Sequence, residues 1–215
     1  MLIRFLNASV LTFTRAVHSK PDIAVQYKSV LASHPSALAV ITVSYGTETR
    51  AATVSSVTSV SVAEPGNPLL SFNLKLPSST SRLIHLSGKF SVNLLSGSPG
   101  AQHIAAAFAG DDTDIKADAF PTSSPPFNTP MLNRTSAHSH DNAPIAFARL
   151  DCYTKHCFPV RDHEIWVGEV DRIYVNDRLG PGMVYFNRHF TRISHTHPTH
   201  DEKLKKRHLR HHKDI

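Results

Sequence analysis

The sequence predicts a mainly β fold, an antiparallel barrel that is closed or nearly closed and carries a few helices. Three observations predict it. Six or seven short segments are apolar or alternate apolar with polar residues, and turn-forming residues bound them. Few stretches have helical spacing or helix-start signals. The chain of 215 residues is 40% hydrophobic, which suffices for a sizeable core, yet it has no run of 18 apolar residues to span a membrane. Two cysteines are too few for a disulfide scaffold.

Taken in order, residues 21–34 have helical spacing, with Ile23, Tyr27, Val30 and Leu31 on one side. Residues 37–45 (ALAVITVSY) are β-branched and aliphatic and read as a buried strand. Gly46-Thr47 is a turn, and residues 50–54 start the return strand of a hairpin. Residues 53–62 keep strand propensity but are loaded with Ser and Thr. Residues 69–74 form a further strand. Pro77-Ser78-Ser79-Thr80 then opens a helix to about Leu86, with Ser79 or Thr80 as its N-cap. Residues 89–95 alternate, placing Phe90, Val92 and Leu94 on one face and Ser91 and Asn93 on the other. Residues 101–109 are a helix of small residues. Residues 111–144 are rich in Pro, Asp, Ser, Asn and His and read as an irregular excursion. Strands are expected at 145–157, 164–175 and 183–190.

The two ends differ from the body. Residues 1–20 hold Arg4, Arg15 and Lys20 and no acid, and on a helix Leu2, Ile3, Leu6, Val10, Phe13 and Val17 share one side. A basic, amphipathic, acid-free start is what a mitochondrial presequence requires, so the matrix is the first expectation and the cytoplasm the second. A secretory signal is the rival, although Arg15 would interrupt its apolar core; an ordinary basic terminus is the plainer alternative. Residues 195–215 hold six basic, three acidic and six His residues, without apolar periodicity, and are expected to be a disordered tail. Removing the nine basic and three acidic residues of the two ends from the 23 and 17 of the whole chain leaves 14 of each in 21–194. A neutral body does not support nucleic acid as a partner. The tail imidazoles suit transition metals, but nothing fixes a geometry. Cys152 and Cys157 are five apart on a strand, so odd spacing puts them on opposite faces and no residue is assigned to a metal. No glycine-rich dinucleotide loop, Walker loop, carboxylate pair or Ser-His-Asp arrangement is identifiable.

Three segments carry a resemblance. The first runs Ala52-Thr53-Val54-Ser55-Ser56-Val57-Thr58-Ser59-Val60-Ser61, then Glu64-Pro65, Pro68-Leu69-Leu70-Ser71-Phe72-Asn73 and Ser78-Ser79-Thr80. The second is Gly88-Lys89-Phe90-Ser91-Val92-Asn93-Leu94-Leu95. The third is Asp162-His163-Glu164-Ile165-Trp166-Val167-Gly168-Glu169-Val170, followed by Val184-Tyr185-Phe186 and Arg188. In this order they resemble the flavin-reductase-like family of FMN-binding split β-barrels, over residues 24–190. Departures are the insertion Gly66-Asn67, the 111–144 segment, the His-rich tail, and Arg161 where the family often has Gly.

The residues suit a flavin on chemical grounds. A flat isoalloxazine along a strand needs small side chains and backbone N–H groups, which Thr53, Val54, Ser55 and Ser56 can supply. A ribityl phosphate needs hydroxyls, amides and a cation at a helix N-terminus, and Asn73, Lys75, Ser78, Ser79, Thr80 and Arg82 surround one. The plainer alternative is a Ser/Thr-rich edge followed by an ordinary capped helix. The resemblance implies that His163 binds the nicotinamide cofactor and that Tyr185 and Arg188 close the site; otherwise His163 is a turn histidine. It further implies a homodimer whose partner completes the site, over one domain spanning 21–194. The implied activity is NAD(P)H-dependent reduction of FMN, with FAD as the alternative flavin, by hydride transfer from nicotinamide C4 to flavin N5. Reduced flavin would pass to oxygen or a partner oxygenase. A flavoprotein acting on another small substrate and a non-enzymatic FMN carrier are the alternatives within the fold. A basic-tailed nucleic-acid or metal-binding protein is the alternative outside it.

Overall fold

A computed structural model describes residues 20–62, 65–110, 123–124, 129–130, 145–176 and 182–193. The expected presequence up to residue 19, most of the 111–144 excursion and the tail from 195 lie outside the described residues. The elements are α1 (Lys20–Ala32), β1 (Ser36–Ala37), β2 (Ala39–Tyr45), β3 (Glu48–Val54), β4 (Thr58–Ser61), β5 (Leu69–Lys75), α2 (Ser79–Ser87), β6 (Lys89–Leu95), α3 (Pro99–Ala109), β7 (Ser123–Ser124), β8 (Thr129–Pro130), β9 (Ala146–Val160), β10 (His163–Val175), β11 (Met183–Phe186) and β12 (His189–Arg192).

Seven strands form one sheet in the order β3-β2-β6-β9-β10-β5-β4, and β1, β11 and β12 form a second in the order β1-β11-β12. Every pair in both is antiparallel. The mainly β architecture is therefore as the sequence predicts, with β7 and β8 paired only to each other. The edge strands β3 and β4 are consecutive in the chain, so the ends of the large sheet are tied by residues 55–57. The single strand expected at 183–190 is instead two short strands. Asn187 and Arg188 take φ of 49° and 64° between them, a left-handed turn that reverses the chain.

Strand alternation sets the core. Ile41 and Val43 of β2, Phe72 and Leu74 of β5, Phe90 and Val92 of β6, and Trp166 and Val170 of β10 meet in one buried cluster. Helix α2 lays Leu83 and Ile84 into the same cluster. Ser78 caps α2 by accepting from the Ser81 N–H at 3.1 Å, one residue before the expected cap. Gly88 ends the helix at φ 65°, its N–H donating to the Ile84 carbonyl, and this left-handed stop feeds the chain into β6.

A second cluster lies on the other face of β2. Val40 and the preceding Leu38 pack there with Ile104, Ala105 and Phe108 of α3. Burial on both faces explains why residues 37–45 read as one continuous apolar run.

The polar face expected for β6 is not solvated. Ser91 and Asn93 are fully buried: Ser91 Oγ donates to Asp151 Oδ1 at 2.6 Å, and Asn93 Nδ2 donates to the Val40 carbonyl and Thr42 Oγ1. Arg149 Nη2 donates to Asp151 Oδ2 at 3.0 Å in the same layer. These groups stay inside because each finds a partner there.

The cysteines also depart from the expectation. Val167 pairs with His156 but Gly168 pairs with Thr154, so Lys155 is an extra residue in β9. This bulge shifts the side-chain phase by one. Cys152 and Cys157 therefore share a face, one inside the main core and the other packed against it, both as free thiols.

Candidate active site

The start of β10 lies beside the end of β5, with His163 opposite Lys75 and Ile165 opposite Asn73. Asn73 and Lys75 are two apart, so both leave the outer face of β5 while Phe72 and Leu74 enter the core. The Asn73 N–H donates to Ser56 Oγ at 2.9 Å, which brings the β3–β4 connection onto the same patch. The turn between β9 and β10 is tied in by the Leu76 N–H, which donates to the Asp162 carbonyl at 2.7 Å. Three separate stretches of chain thus converge at one place.

The N-terminus of α2 follows this patch directly in the chain, with only residues 76–78 between it and Lys75. Its first-turn N–H groups at Ser79 and Thr80 have no acceptor within the helix. Ser79 is exposed and Ser78 half-buried. Amides, a hydroxyl and the Lys75 ammonium form a donor set that fits a phosphate.

Asp162 and His163 form a pair at the edge of the patch, with His163 Nδ1 and Asp162 Oδ1 2.9 Å apart. The His163 hydrogen bond first, and the Lys75 charge last, hold the Asp162 carboxyl below its ordinary range. An ionised Asp162 in turn fixes the ring of His163 and leaves its Nε2 edge exposed to a ligand.

Several predicted site residues have other tasks. Thr53 Oγ1 donates to the Ala105 carbonyl at 2.8 Å, tying β3 to α3, and the Val54 side chain is buried in the main core. These two can meet a ligand through backbone alone, whereas Ser55 is exposed. The Thr80 side chain is buried, which leaves its N–H as the available group. Arg82 Nη2 donates to Glu48 Oε2 at 2.5 Å, so its guanidinium is already engaged. Tyr185 and Arg188 belong to the other sheet. Tyr185 lies against Phe190, with ring centres 5.9 Å apart, and Arg188 occupies the β11–β12 turn. Among the described residues, no hydrogen bond, ion pair or ring contact joins either of them to His163 or α2.

A family model for the flavin reductase like domain matches residues 31–194. The chain belongs to that family. It is 28% identical over 171 residues to the NADH-dependent FMN reductase AsuE2 of Streptomyces nodosus subsp. asukaensis, covering 78% of this chain and 84% of that one. Its fold is similar to that of the NADH:FAD oxidoreductase SgcE6 of Streptomyces globisporus C-1027, solved with NAD and FAD fragments. The TM-score is 0.68 at 24% identity, over 86% of this chain and all of that one. BorF, the flavin reductase component of a bacterial two-component tryptophan halogenase, gives a TM-score of 0.63 at 22% identity, over 80% and 99% of the two chains.

In this flavin-reductase-like chain, sequence reasoning missed a second polar group beneath the patch. Ser81 Oγ donates to Glu164 Oε2, and His85 Nε2 lies 3.0 Å from Glu164 Oε1. Partial burial raises the Glu164 carboxyl, but the Ser81 and His85 hydrogen bonds outweigh it and the net shift is downward. Ser81 and His85 are four apart on one helix face, which was legible in the sequence. Their partner Glu164, on the opposite face of β10 from His163, was not.

Proposed function

We propose that this chain is an NAD(P)H-dependent flavin reductase whose FMN phosphate rests on the start of α2. The convergence of Ser56, Asn73, Lys75 and the Asp162-His163 pair on one patch, with the start of α2 next in the chain, carries this reading. When bound, FMN supplies an N5 centre that takes a hydride from nicotinamide C4 and delivers two electrons onward. The chain supplies binding and orientation. Lys75 and the Ser79 and Thr80 amides hold the phosphate, and the connection at exposed Ser55 and half-buried Ser56 offers backbone donors to the ring edge. His163, steadied by Asp162, positions the nicotinamide.

The decisive experiment is an absorbance spectrum of purified protein with FMN, before and after anaerobic NADH or NADPH. A bound yellow flavin that bleaches with either nucleotide is expected. A flavin that binds and does not bleach identifies a carrier, and protein that binds no flavin refutes the reading. FMN is the first choice, because amides, a hydroxyl and a Lys ammonium at a helix start suit a terminal phosphate, and FAD is the alternative.

Four further elements belong to the proposal. The large sheet closes as a split barrel through the β3–β4 connection. The chain forms a homodimer, supported by α1, which exposes Ile23, Val25, Tyr27, Val30 and Leu31; sedimentation at micromolar concentration tests it. Reduced flavin leaves for oxygen or a partner oxygenase. Residues 1–20 direct the chain to the mitochondrial matrix, which a fluorescent fusion of that segment tests.

A further inference from the structure

We propose that His85, Cys157 and Glu164 form a binding site for a divalent transition-metal cation of the zinc class, at the end of the core where α2 meets the β9–β10 hairpin. One donor atom from each of the three residues lies within 4.8 Å of the other two. A four-coordinate zinc site with metal–ligand distances of about 2.0–2.3 Å holds its donors roughly 3.3–3.8 Å apart, so small side-chain movements complete it. Helix α2 and strands β9 and β10 contribute one ligand each, and none of the three is a residue of the flavin patch.

The placement has local causes. The Lys155 bulge turns Cys157 onto the core face of β9, directly opposite Trp166 of β10. Glu164 is two residues before Trp166 and so shares its face. The His85 ring lies against the Trp166 indole with centres 4.6 Å apart, which aims Nε2 at the carboxylate. Ser81 holds Oε2 of Glu164 and leaves Oε1 toward His85. A hydroxyl that orients a ligating carboxylate is the outer-shell support that metal sites use.

The donor chemistry selects the ion. Thiolate, imidazole and carboxylate together suit zinc or cobalt, whereas magnesium and calcium take oxygen ligands. Thiolate and carboxylate carry two negative charges against the two positive charges of the ion. On binding, Cys157 Sγ releases its proton to the buffer, and the proton that His85 Nε2 shares with Glu164 Oε1 gives way, leaving a neutral ring protonated at Nδ1 with its Nε2 lone pair on the ion. Burial first, and Glu164 second, push the Cys157 thiol up to about 11, so in the metal-free protein it stays a thiol at neutral pH. The His85 side chain is half exposed, which gives the ion an entry path and leaves a fourth position for water or an external ligand. The bound ion would join α2 to the hairpin that carries Asp162 and His163.

The test is a cobalt titration of the full-length protein, read as difference spectra so that flavin absorbance cancels. A thiolate-to-cobalt charge-transfer band in the near ultraviolet is expected, with tetrahedral d–d bands in the visible, and stoichiometric zinc should abolish both. Cys152→Ser should keep the bands and Cys157→Ser should lose the charge-transfer band. His85→Gln and Glu164→Gln should each weaken cobalt binding by tenfold or more. His85 is exposed, so His85→Gln reads the site even if Cys157→Ser fails to fold. The proposal is overturned by cobalt spectra without a thiolate band, which would report the tail histidines alone. A band that survives Cys157→Ser, or wild-type affinity in both Gln variants, also overturns it. The bands do not depend on flavin, so this result and the flavin reading fail separately.

Discussion

Replacing Gly168 by alanine tests how tightly the core of the large sheet is determined. A Cβ built there would lie 2.3 Å from Cζ of Phe90 and 3.2 Å from both Cε atoms of the same ring. The ring has no free side to retreat to, because Phe90 is fully buried and meets Phe72 edge-on at 5.1 Å. The backbone at Gly168 needs no left-handed conformation, so the whole cost is steric. Overpacking of this kind costs about 1–3 kcal/mol. At roughly 2–4 °C per kcal/mol for a domain of this size, Tm should fall by about 2–12 °C. Phe90→Leu alone leaves a gap and should cost roughly 1–2 kcal/mol. Combined with Gly168→Ala, the smaller side chain makes room for the new methyl. The double variant should therefore lose at least about 1 kcal/mol less than the sum of the singles. Urea midpoints and thermal melts of the four proteins measure this. A wild-type melt for Gly168→Ala, or costs that add, would refute the packing argument.

Three predictions concern the site. Ser79→Asp puts a negative charge where the helix favours one and FMN phosphate does not. Stability should hold or rise by about 0.3–1 kcal/mol, while repulsion of about 3 kcal/mol at roughly 5 Å weakens FMN on the order of 100-fold. Riboflavin affinity, measured by the same fluorescence quenching, should barely change, and an equal loss for both ligands would move the phosphate elsewhere. Lys75→Ala should cost about 1.5–3 kcal/mol of FMN affinity, and Arg82→Ala less, because Glu48 already holds the Arg82 guanidinium. The reverse order in the same assay would mean that Arg82 leaves Glu48 to bind the phosphate. His163→Ala should keep flavin bound and raise KM for NADH or NADPH in steady-state assays; loss of flavin would make His163 part of the flavin cradle.

Some of this molecule is written in local order along the chain. The alternation of residues 89–95, the apolar run at 37–45 and the hydroxyl-rich start of α2 each depend on neighbours in sequence, and the strands and helix appear where those patterns lie. The family follows from three such segments taken together, and so does the convergence of Asn73 and Lys75 with Asp162-His163. What a hydroxyl or cation does there depends on partners far away in the chain. Thr53 turned to Ala105, and Arg82 to Glu48, because β3 happens to lie between α3 and α2. Ser91 and Asn93 were buried because β9 and β2 offered Asp151 and Thr42 across the sheet. The common face of Cys152 and Cys157 came from one unpaired residue, Lys155, in a strand whose length the sequence pattern indicated but whose register it did not. Periodicity determines which residues alternate. Register, and with it the meeting of His85, Cys157 and Glu164, is set only when whole strands and α2 pack around one core, because a single inserted residue reverses the phase of every side chain beyond it.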